Sequence, residues 1–105
     1  MWILQSNTAD ADAGAMIFRL SAGAIKTIGR ATPADFVVDA ALVSRLHCRL
    51  TAGGDRIDIE DLKSTNGTFV NDARVERASV GDGDRLRVGR MELTVRRAAP
   101  NGNGI

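Results

Sequence analysis

Leu46 to Glu60 reads LHCRLTAGGDRIDIE, and on either side of the glycine pair its apolar and polar residues alternate. This alternation predicts two β-strands, because successive side chains of a strand point to opposite faces of a sheet. Gly53-Gly54 is the predicted hairpin turn between them. A two-residue turn there would place Leu50 opposite Ile57, so that both strands bury the same apolar face. The stretch therefore predicts a β-hairpin on one face of a core.

A second hairpin is predicted near the end of the chain, where Gly89-Arg90 supplies the turn. Its register would place Val88 opposite Met91, and a glycine at the first turn position suits a type II′ turn. Further short strands are predicted upstream, the middle two joined as a hairpin through Ser21-Ala22-Gly23: Trp2 to Gln5, Met16 to Leu20, Ala24 to Ile28 and Phe36 to Val38. Short strands with glycine-rich turns and no helical period favour an all-β fold, a sandwich or barrel of antiparallel strands.

The composition bounds the size of the fold and the kinds of partner. A chain of 105 residues with 44% hydrophobic content fits one domain with one core. We place that domain at residues 1–97 and a flexible tail or linker at residues 98–105. The net charge of +1 predicts no binding to nucleic acid or to a membrane surface. Cys48, the single cysteine, excludes an internal disulfide and favours a cytoplasmic location.

Asp61 to Asn71, which reads DLKSTNGTFVN, directly follows the first predicted hairpin. Its serine, threonine and asparagine residues form turns, because their side chains bond to nearby backbone, and Gly67 permits the positive φ that other residues resist. The same side chains donate hydrogen bonds to anions. The loop is therefore either only a turn or one wall of a recognition site, and Lys63 either approaches a bound anion or extends into solvent.

Three further motifs surround this loop: Gly29-Arg30 at the end of a predicted strand, Ser44-Arg45-Leu46-His47 before the next long strand, and Gly81-Asp82-Gly83-Asp84 before the last hairpin. Together with Ser64-Thr65-Asn66-Gly67-Thr68, they make the chain resemble the forkhead-associated (FHA) domain family. The resemblance spans Trp2 to Arg96 and rests on several ordered motifs with compatible spacing. It implies an antiparallel β-sandwich of two twisted sheets, with the binding loops at one end.

The resemblance also implies a function, that of a module that binds phosphothreonine and acts in serine/threonine kinase signalling without being an enzyme. In such a module Arg30, Ser44 and Thr65 would contact the phosphate. Asn66 would hold the peptide backbone, and Arg45 would contact the peptide. The implied partners are a phosphothreonine-containing protein or peptide and an upstream serine/threonine kinase. The module itself is expected to be a monomer that needs no cofactor and no metal.

Further positions of the family tune or support such a site. Leu42, two residues before the motif serine, would face the third ligand residue after the phosphothreonine, so an apolar residue is expected there. Four residues would support the loops without touching the ligand: Gly29, His47, Gly67 and Asn71. Asp72 departs from the family pattern, which often has glycine at this position, and we expect the departure to affect that turn and to leave the phosphate site intact.

Two other functions stay open from the residues alone. The first is a phospho-independent interaction or self-assembly module on the same fold, in which Arg30 would be an ordinary solvated arginine. The second is a hydrolase using Ser44 and His47, which an extended chain disfavours because residues three positions apart point to opposite faces. Asp82 and Asp84 fall short of a calcium-binding loop, which needs more oxygen ligands, and we interpret them as turn residues.

Overall fold

The computed structural model describes residues 1–6 and 16–98, and this part of the chain forms β-strands and no helix. The strands are β1 (Trp2–Ser6), β2 (Ile17–Leu20), β3 (Ile25–Gly29), β4 (Phe36–Val37), β5 (Cys48–Ala52), β6 (Ile57–Asp61), β7 (Thr68–Val70), β8 (Ala73–Val75), β9 (Arg77–Val80), β10 (Arg85–Val88) and β11 (Met91–Arg97). The described residues include no helix that could cross a membrane. Apart from Ala98, the predicted tail lies outside the described residues.

The strands form two sheets, as predicted for a β-sandwich. One sheet has six strands in the order β2-β1-β11-β10-β7-β8, and the other has five in the order β4-β3-β5-β6-β9. All strand pairs are antiparallel except that of β3 with β4, which is parallel. The predicted all-β sandwich is therefore confirmed, with this one parallel pair at an edge of the five-stranded sheet.

The core lies between the sheets, where alternate strand positions bury apolar side chains. The core residues that are at most 2% exposed include Trp2, Leu4, Leu20, Ile28, Leu50, Ile57, Ile59, Val80, Leu86, Val88, Leu93 and Val95. Burying one such side chain contributes roughly 1.5–3 kcal/mol, so this layer is the main source of the fold's stability. Cys48 belongs to it, and burial raises the pKa of its thiol to about 12. Cys48 is therefore a core residue and not an activated nucleophile.

The predicted register of the first hairpin is wrong by two residues. Leu50 pairs with Ile59, and Ala52 pairs with Ile57. The strands therefore extend to Ala52, and residues 53–56 form a four-residue loop closed by a hydrogen bond from Gly53 N to Arg56 O, 2.8 Å. In this register Ala52, only 3% exposed, lies opposite the buried Ile57, whereas the two-residue turn would have placed it opposite the exposed Asp55. A shift of two residues keeps every side chain on its predicted face, because the side-chain period of a strand is two.

The second hairpin has the predicted register. Val88 pairs with Met91, and Leu86 pairs with Leu93. Gly89 has φ +58°, a value that a glycine adopts without steric cost at the first position of this turn. The turn signal and the apolar pattern agree here on one pairing, and the prediction is confirmed.

The predicted hairpin through Ser21-Ala22-Gly23 is wrong. β2 pairs with β1 in the six-stranded sheet, whereas β3 pairs with β5 in the other, so this segment crosses between the two sheets. Turn residues mark where a strand ends but carry no information on which sheet the next strand joins. Phe18 of β2 stacks on Phe36 of β4 with ring centroids 4.6 Å apart, which closes this side of the sandwich.

Candidate functional site

An open groove lies at one end of the sandwich, where the loop of residues 38–47 meets the loop of residues 62–67 beside the end of β3. Its volume is about 390 Å³, and its lining brings together all the residues predicted to contact a ligand: Arg30, Leu42, Ser44, Arg45, Thr65 and Asn66. Within the described part of the chain, Val43 is the only other lining residue. Residues that are far apart in the sequence therefore form one continuous surface.

Gly29 ends β3 directly before Arg30, which lines the groove. Arg30 N donates a hydrogen bond to Ser44 O, 2.9 Å, which ties the end of β3 to the 38–47 loop. A Cβ at Gly29 would lie 1.9 Å from Arg45 O, far inside van der Waals contact. Only glycine therefore allows the two backbones to approach this closely, which gives this residue a steric role in supporting the loops.

Two hydrogen bonds between groove-lining residues help to join the 38–47 loop to the 62–67 loop. Thr65 N donates to Ser44 Oγ, 3.0 Å, and Asn66 Nδ2 donates to Leu42 O, 3.2 Å. The Ser44 hydroxyl accepts in this contact, so its own proton remains available for a ligand oxygen. The walls of the groove are thus held together before any ligand binds.

His47 is fully buried and holds the loops from inside. Ser44 N donates to His47 Nδ1, 3.0 Å, and His47 Nε2 contacts Gly67 O at 2.8 Å. Because Nδ1 accepts and a carbonyl can only accept, the proton of the neutral ring lies on Nε2. Both ring nitrogens are therefore engaged by backbone, and the ring bonds the amide of Ser44 and not its hydroxyl. In this geometry His47 is not placed to act as a general base for Ser44.

The guanidinium groups of Arg30 and Arg45 carry the charge of the groove. Among the described residues neither has an ion-pair partner, and no carboxylate lines the groove. Elsewhere on the surface, arginines such as Arg49 are paired with acids. Lys63 lines a neighbouring depression with Arg74 and does not line this groove. The groove is therefore a locally cationic surface on a nearly neutral protein.

Asp61 organises the 62–67 loop, a role that the sequence prediction missed. Its carboxylate accepts hydrogen bonds from Ser64 N at 3.1 Å, from Ser64 Oγ and from Thr68 Oγ1 at 2.7 Å. Ser64 Oγ in turn accepts from Gly67 N, 3.0 Å. Partial burial acts to raise the pKa of Asp61, but the hydrogen bonds from Ser64 and Thr68 outweigh it and hold the pKa below its ordinary value. An aspartate followed closely by turn-forming residues is the signal that could have found it, since such a side chain bonds to nearby backbone N–H groups.

Replacing this carboxylate is expected to have a pH-dependent cost. Asp61→Asn replaces one of two oxygens, which together accept three hydrogen bonds, with a donor, and we expect a loss of about 1–3 kcal/mol in the free energy of unfolding at neutral pH. The folded-state pKa lies below the ordinary value of 3.8, so the contribution is present above that value and is lost as the pH falls through the folded-state pKa. Denaturant unfolding of wild type and Asp61→Asn at pH about 7 and pH about 3 measures the loss at neutral pH and its decrease in acid.

The control is Asp39→Asn, which changes an exposed carboxylate and should leave the unfolding free energy nearly unchanged at both pH values. If wild type and Asp61→Asn differed in unfolding free energy by the same amount at pH about 3 as at pH about 7, the role given to this carboxylate would be contradicted.

Gly67 and Asn71 lie at opposite ends of β7. Gly67 has φ +93°, and a Cβ there would meet Arg74 Nε at 2.7 Å. Asn71 bonds to Asp84 through Nδ2, 3.1 Å, and accepts from Arg85 N, 2.9 Å. Asn71 therefore braces the β7–β8 turn against the start of β10, on the side of β7 away from the groove. Asp72 completes this two-residue turn with φ +72°, where the resemblance led us to expect glycine.

Known proteins share this sequence pattern and this fold. Residues 26–89 match the family model of the FHA domain, a span that includes every residue of the groove. The chain is 41% identical over 80 residues to the ABC transporter ATP-binding/permease protein Rv1747 of Mycobacterium tuberculosis. The match covers 76% of this chain but 9% of that protein, so the chain spans only a small part of that relative.

Two solved structures superimpose closely on the sandwich. One comes from a structural and functional analysis of phosphothreonine-dependent FHA domain interactions. It has a TM-score of 0.80 at 34% identity and covers 93% of this chain and 97% of that one. The other is the FhaA FHA domain complexed with the intracellular domain of Rv3910, with a TM-score of 0.78 at 36% identity over 91% of this chain and 100% of that one. With most of its strands and its whole groove inside the matching span, this chain belongs to the FHA domain family.

Proposed function

We propose that the groove binds a phosphothreonine-containing segment of another protein after a serine/threonine kinase has modified it, and that the domain is a docking module with no catalytic step. The observation that carries this proposal is one groove, lined by no carboxylate of the described residues, in which the guanidinium groups of Arg30 and Arg45 join the hydroxyls of Ser44 and Thr65. The free, buried Cys48 is consistent with a cytoplasmic setting for this docking.

The chemistry of a phosphothreonine fits this donor set. A phosphate monoester carries about −1.5 to −2 charges at pH 7 and presents three acceptor oxygens, so it needs several donors and at least one cation. The guanidinium of Arg30 offers a planar fork that bonds two phosphate oxygens at once. The hydroxyls of Ser44 and Thr65 add neutral donors, and Arg45 adds a second charge at the edge of the groove.

Asn66 supplies the contact to the rest of the ligand. Its amide donates one proton to Leu42 O and keeps the oxygen and a second N–H for the backbone of a bound peptide. Backbone contacts orient the ligand without selecting its sequence. With one phosphate and a few flanking residues as the epitope, we expect a dissociation constant of about 1 μM, or about −8 kcal/mol.

What the relatives bind supports the same assignment. The neighbour at TM-score 0.80 is described through phosphothreonine-dependent interactions, and the FhaA domain was captured on another protein's intracellular domain. Both align over more than nine-tenths of this chain. A phosphothreonine on a protein partner is accordingly the ligand class that we assign to the groove.

The test uses oriented peptide libraries with a central phosphothreonine or a central unmodified threonine. We expect capture of the phosphorylated library alone, with apolar residues enriched at the third position after it, facing Leu42. Since the second pKa of the phosphate is about 6, affinity for a selected peptide should fall by about tenfold from pH 7.5 to pH 5. Equal capture of both libraries would instead support a phospho-independent interaction module.

A further inference from the structure

Leu42 adopts a backbone conformation that its residue type does not favour. A hydrogen bond from Val43 N to Ala40 O, 3.4 Å, closes a β-turn over residues 40–43, and Leu42 holds its third position with φ +72°. A turn with positive φ at the third position and not at the second is type II, where glycine or asparagine is usual because a Cβ is crowded there. Strain of this kind collects at functional sites and persists where the surrounding structure imposes it.

The surroundings of the turn show what imposes it. Behind the turn lies Gly89, where a Cβ would be 3.0 Å from both Ala41 O and the carbonyl carbon of Leu42. In front, Leu42 O accepts the hydrogen bond from Asn66 Nδ2. The Leu42 side chain is 45% exposed, so its packing does not account for the strained backbone. The turn instead presents a backbone carbonyl to the opposite loop.

We propose that Leu42 is a positioning residue, which acts through its backbone carbonyl to orient the Asn66 amide for the backbone of the bound peptide. The inference rests on the proposed function and adds to it a residue whose role is distinct from any contact of its side chain with the ligand. Because the carbonyl only accepts, the amide nitrogen of Asn66 faces it. The amide oxygen and the second N–H are thereby directed away from Leu42, and less ordering is needed when the peptide binds.

A pair of substitutions separates the backbone of Leu42 from its side chain. Leu42→Asn removes the apolar side chain but suits a positive φ, whereas Leu42→Val keeps an apolar side chain that is β-branched and resists a positive φ. We expect Leu42→Val to weaken binding of a selected phosphothreonine peptide by about three- to tenfold, the equivalent of one hydrogen bond. Leu42→Asn loses the apolar contact but keeps the turn, so with a peptide that has glycine at the third position after the phosphothreonine it should bind more tightly than Leu42→Val. The reverse order would overturn the proposal.

The unliganded protein offers a second measurement. The side-chain amide protons of Asn66 should show distinct NMR shifts and slowed exchange in wild type and in Leu42→Asn, since one of them is bonded to Leu42 O. In Leu42→Val both features should be lost. If Leu42→Val does not fold, Leu42→Asn still decides the matter: a folded Leu42→Asn with a free Asn66 amide overturns the proposal.

A double-mutant cycle tests whether the two residues act together. If Leu42 acts through Asn66, Leu42→Val should cost little further affinity in an Asn66→Ala background, whereas additive losses would contradict the coupling. Leu46 provides the matched control, since it is another exposed leucine, 39% exposed, outside the groove lining. Leu46→Asn and Leu46→Val should both bind like wild type.

Peptide binding and the NMR signals of the Asn66 amide together keep this inference separate from the function on which it rests. A wild-type protein that binds no phosphothreonine peptide would overturn the proposed function, while the Asn66 amide signals would still report on the contact with Leu42. Binding of phosphopeptide with an Asn66 amide that is free in wild type would leave the function standing and remove the role of Leu42.

Discussion

Arg30→Ala is expected to reduce affinity for a phosphothreonine peptide by roughly 30- to 150-fold, because it removes about 2–3 kcal/mol of charge-assisted hydrogen bonding to the phosphate. Arg30 lies at the end of β3, and its backbone N–H bonds to Ser44 O independently of its side chain. The fold should therefore survive the change. Isothermal titration calorimetry with a peptide selected on wild type, together with a melting curve, measures both effects.

Two matched variants sharpen this result. Arg30→Lys keeps the charge but loses the fork that bonds two oxygens, so its affinity should fall between those of wild type and Arg30→Ala. Arg96→Ala removes one positive charge from an exposed position of β11, outside the groove lining, and should bind like wild type. Equal losses in Arg30→Ala and Arg96→Ala would mean that general charge, and not the groove, attracts the ligand.

Gly29→Ala is expected to lower the free energy of unfolding by about 3 kcal/mol or more, since a backbone atom cannot move aside as a flexible side chain can. The added Cβ would lie 1.9 Å from Arg45 O and 3.0 Å from Ala34 Cβ, so β3 and the 38–47 loop must separate. For a domain of this size the loss corresponds to a fall of roughly 12–24 °C in Tm. Phosphopeptide binding should weaken as well, because Arg30 and Ser44 move apart.

Gly54→Ala is the control for this glycine. A Cβ at Gly54 would meet no described atom within 4 Å, and this residue does not have a positive φ. An alanine there should therefore leave Tm unchanged or raise it slightly. If Gly29→Ala and Gly54→Ala had the same Tm, the close approach of β3 to the 38–47 loop would not be the constraint that the structure indicates.

The clustering of the groove residues was predictable from the resemblance, which implies binding loops at one end of the sandwich, and the structure brings these residues together. An anion requires cations and hydroxyls in any fold, and loops tolerate such residues where a core would not. Arg30, Ser44 and Thr65 could therefore be identified from short motifs. Asp61 was missed because its carboxylate bonds inward to Ser64 and Thr68, and such a role resembles that of any turn-forming acid.

The errors in the fold share a different cause. From the glycine pairs and polar turns we could predict where strands end, and most of these ends are close to those in the structure. The same signals could not predict that the first hairpin has a four-residue loop or that residues 21–23 cross from one sheet to the other. In each case the pairing of buried strand residues outweighed the local turn preference.

By itself, the sequence determined which side chains face the core and which residue types the loops present. Both follow from local rules: the two-residue period of a strand and the preference of turns for polar residues and glycine. Only the tertiary structure decided that Thr65 N lies 3.0 Å from Ser44 Oγ across 21 residues, and that Leu42 turns its carbonyl toward Asn66. These distances depend on how the strands pair and how closely Gly29 and Gly89 let their neighbours approach. No local pattern contains that information, since it arises when the two sheets close on one core.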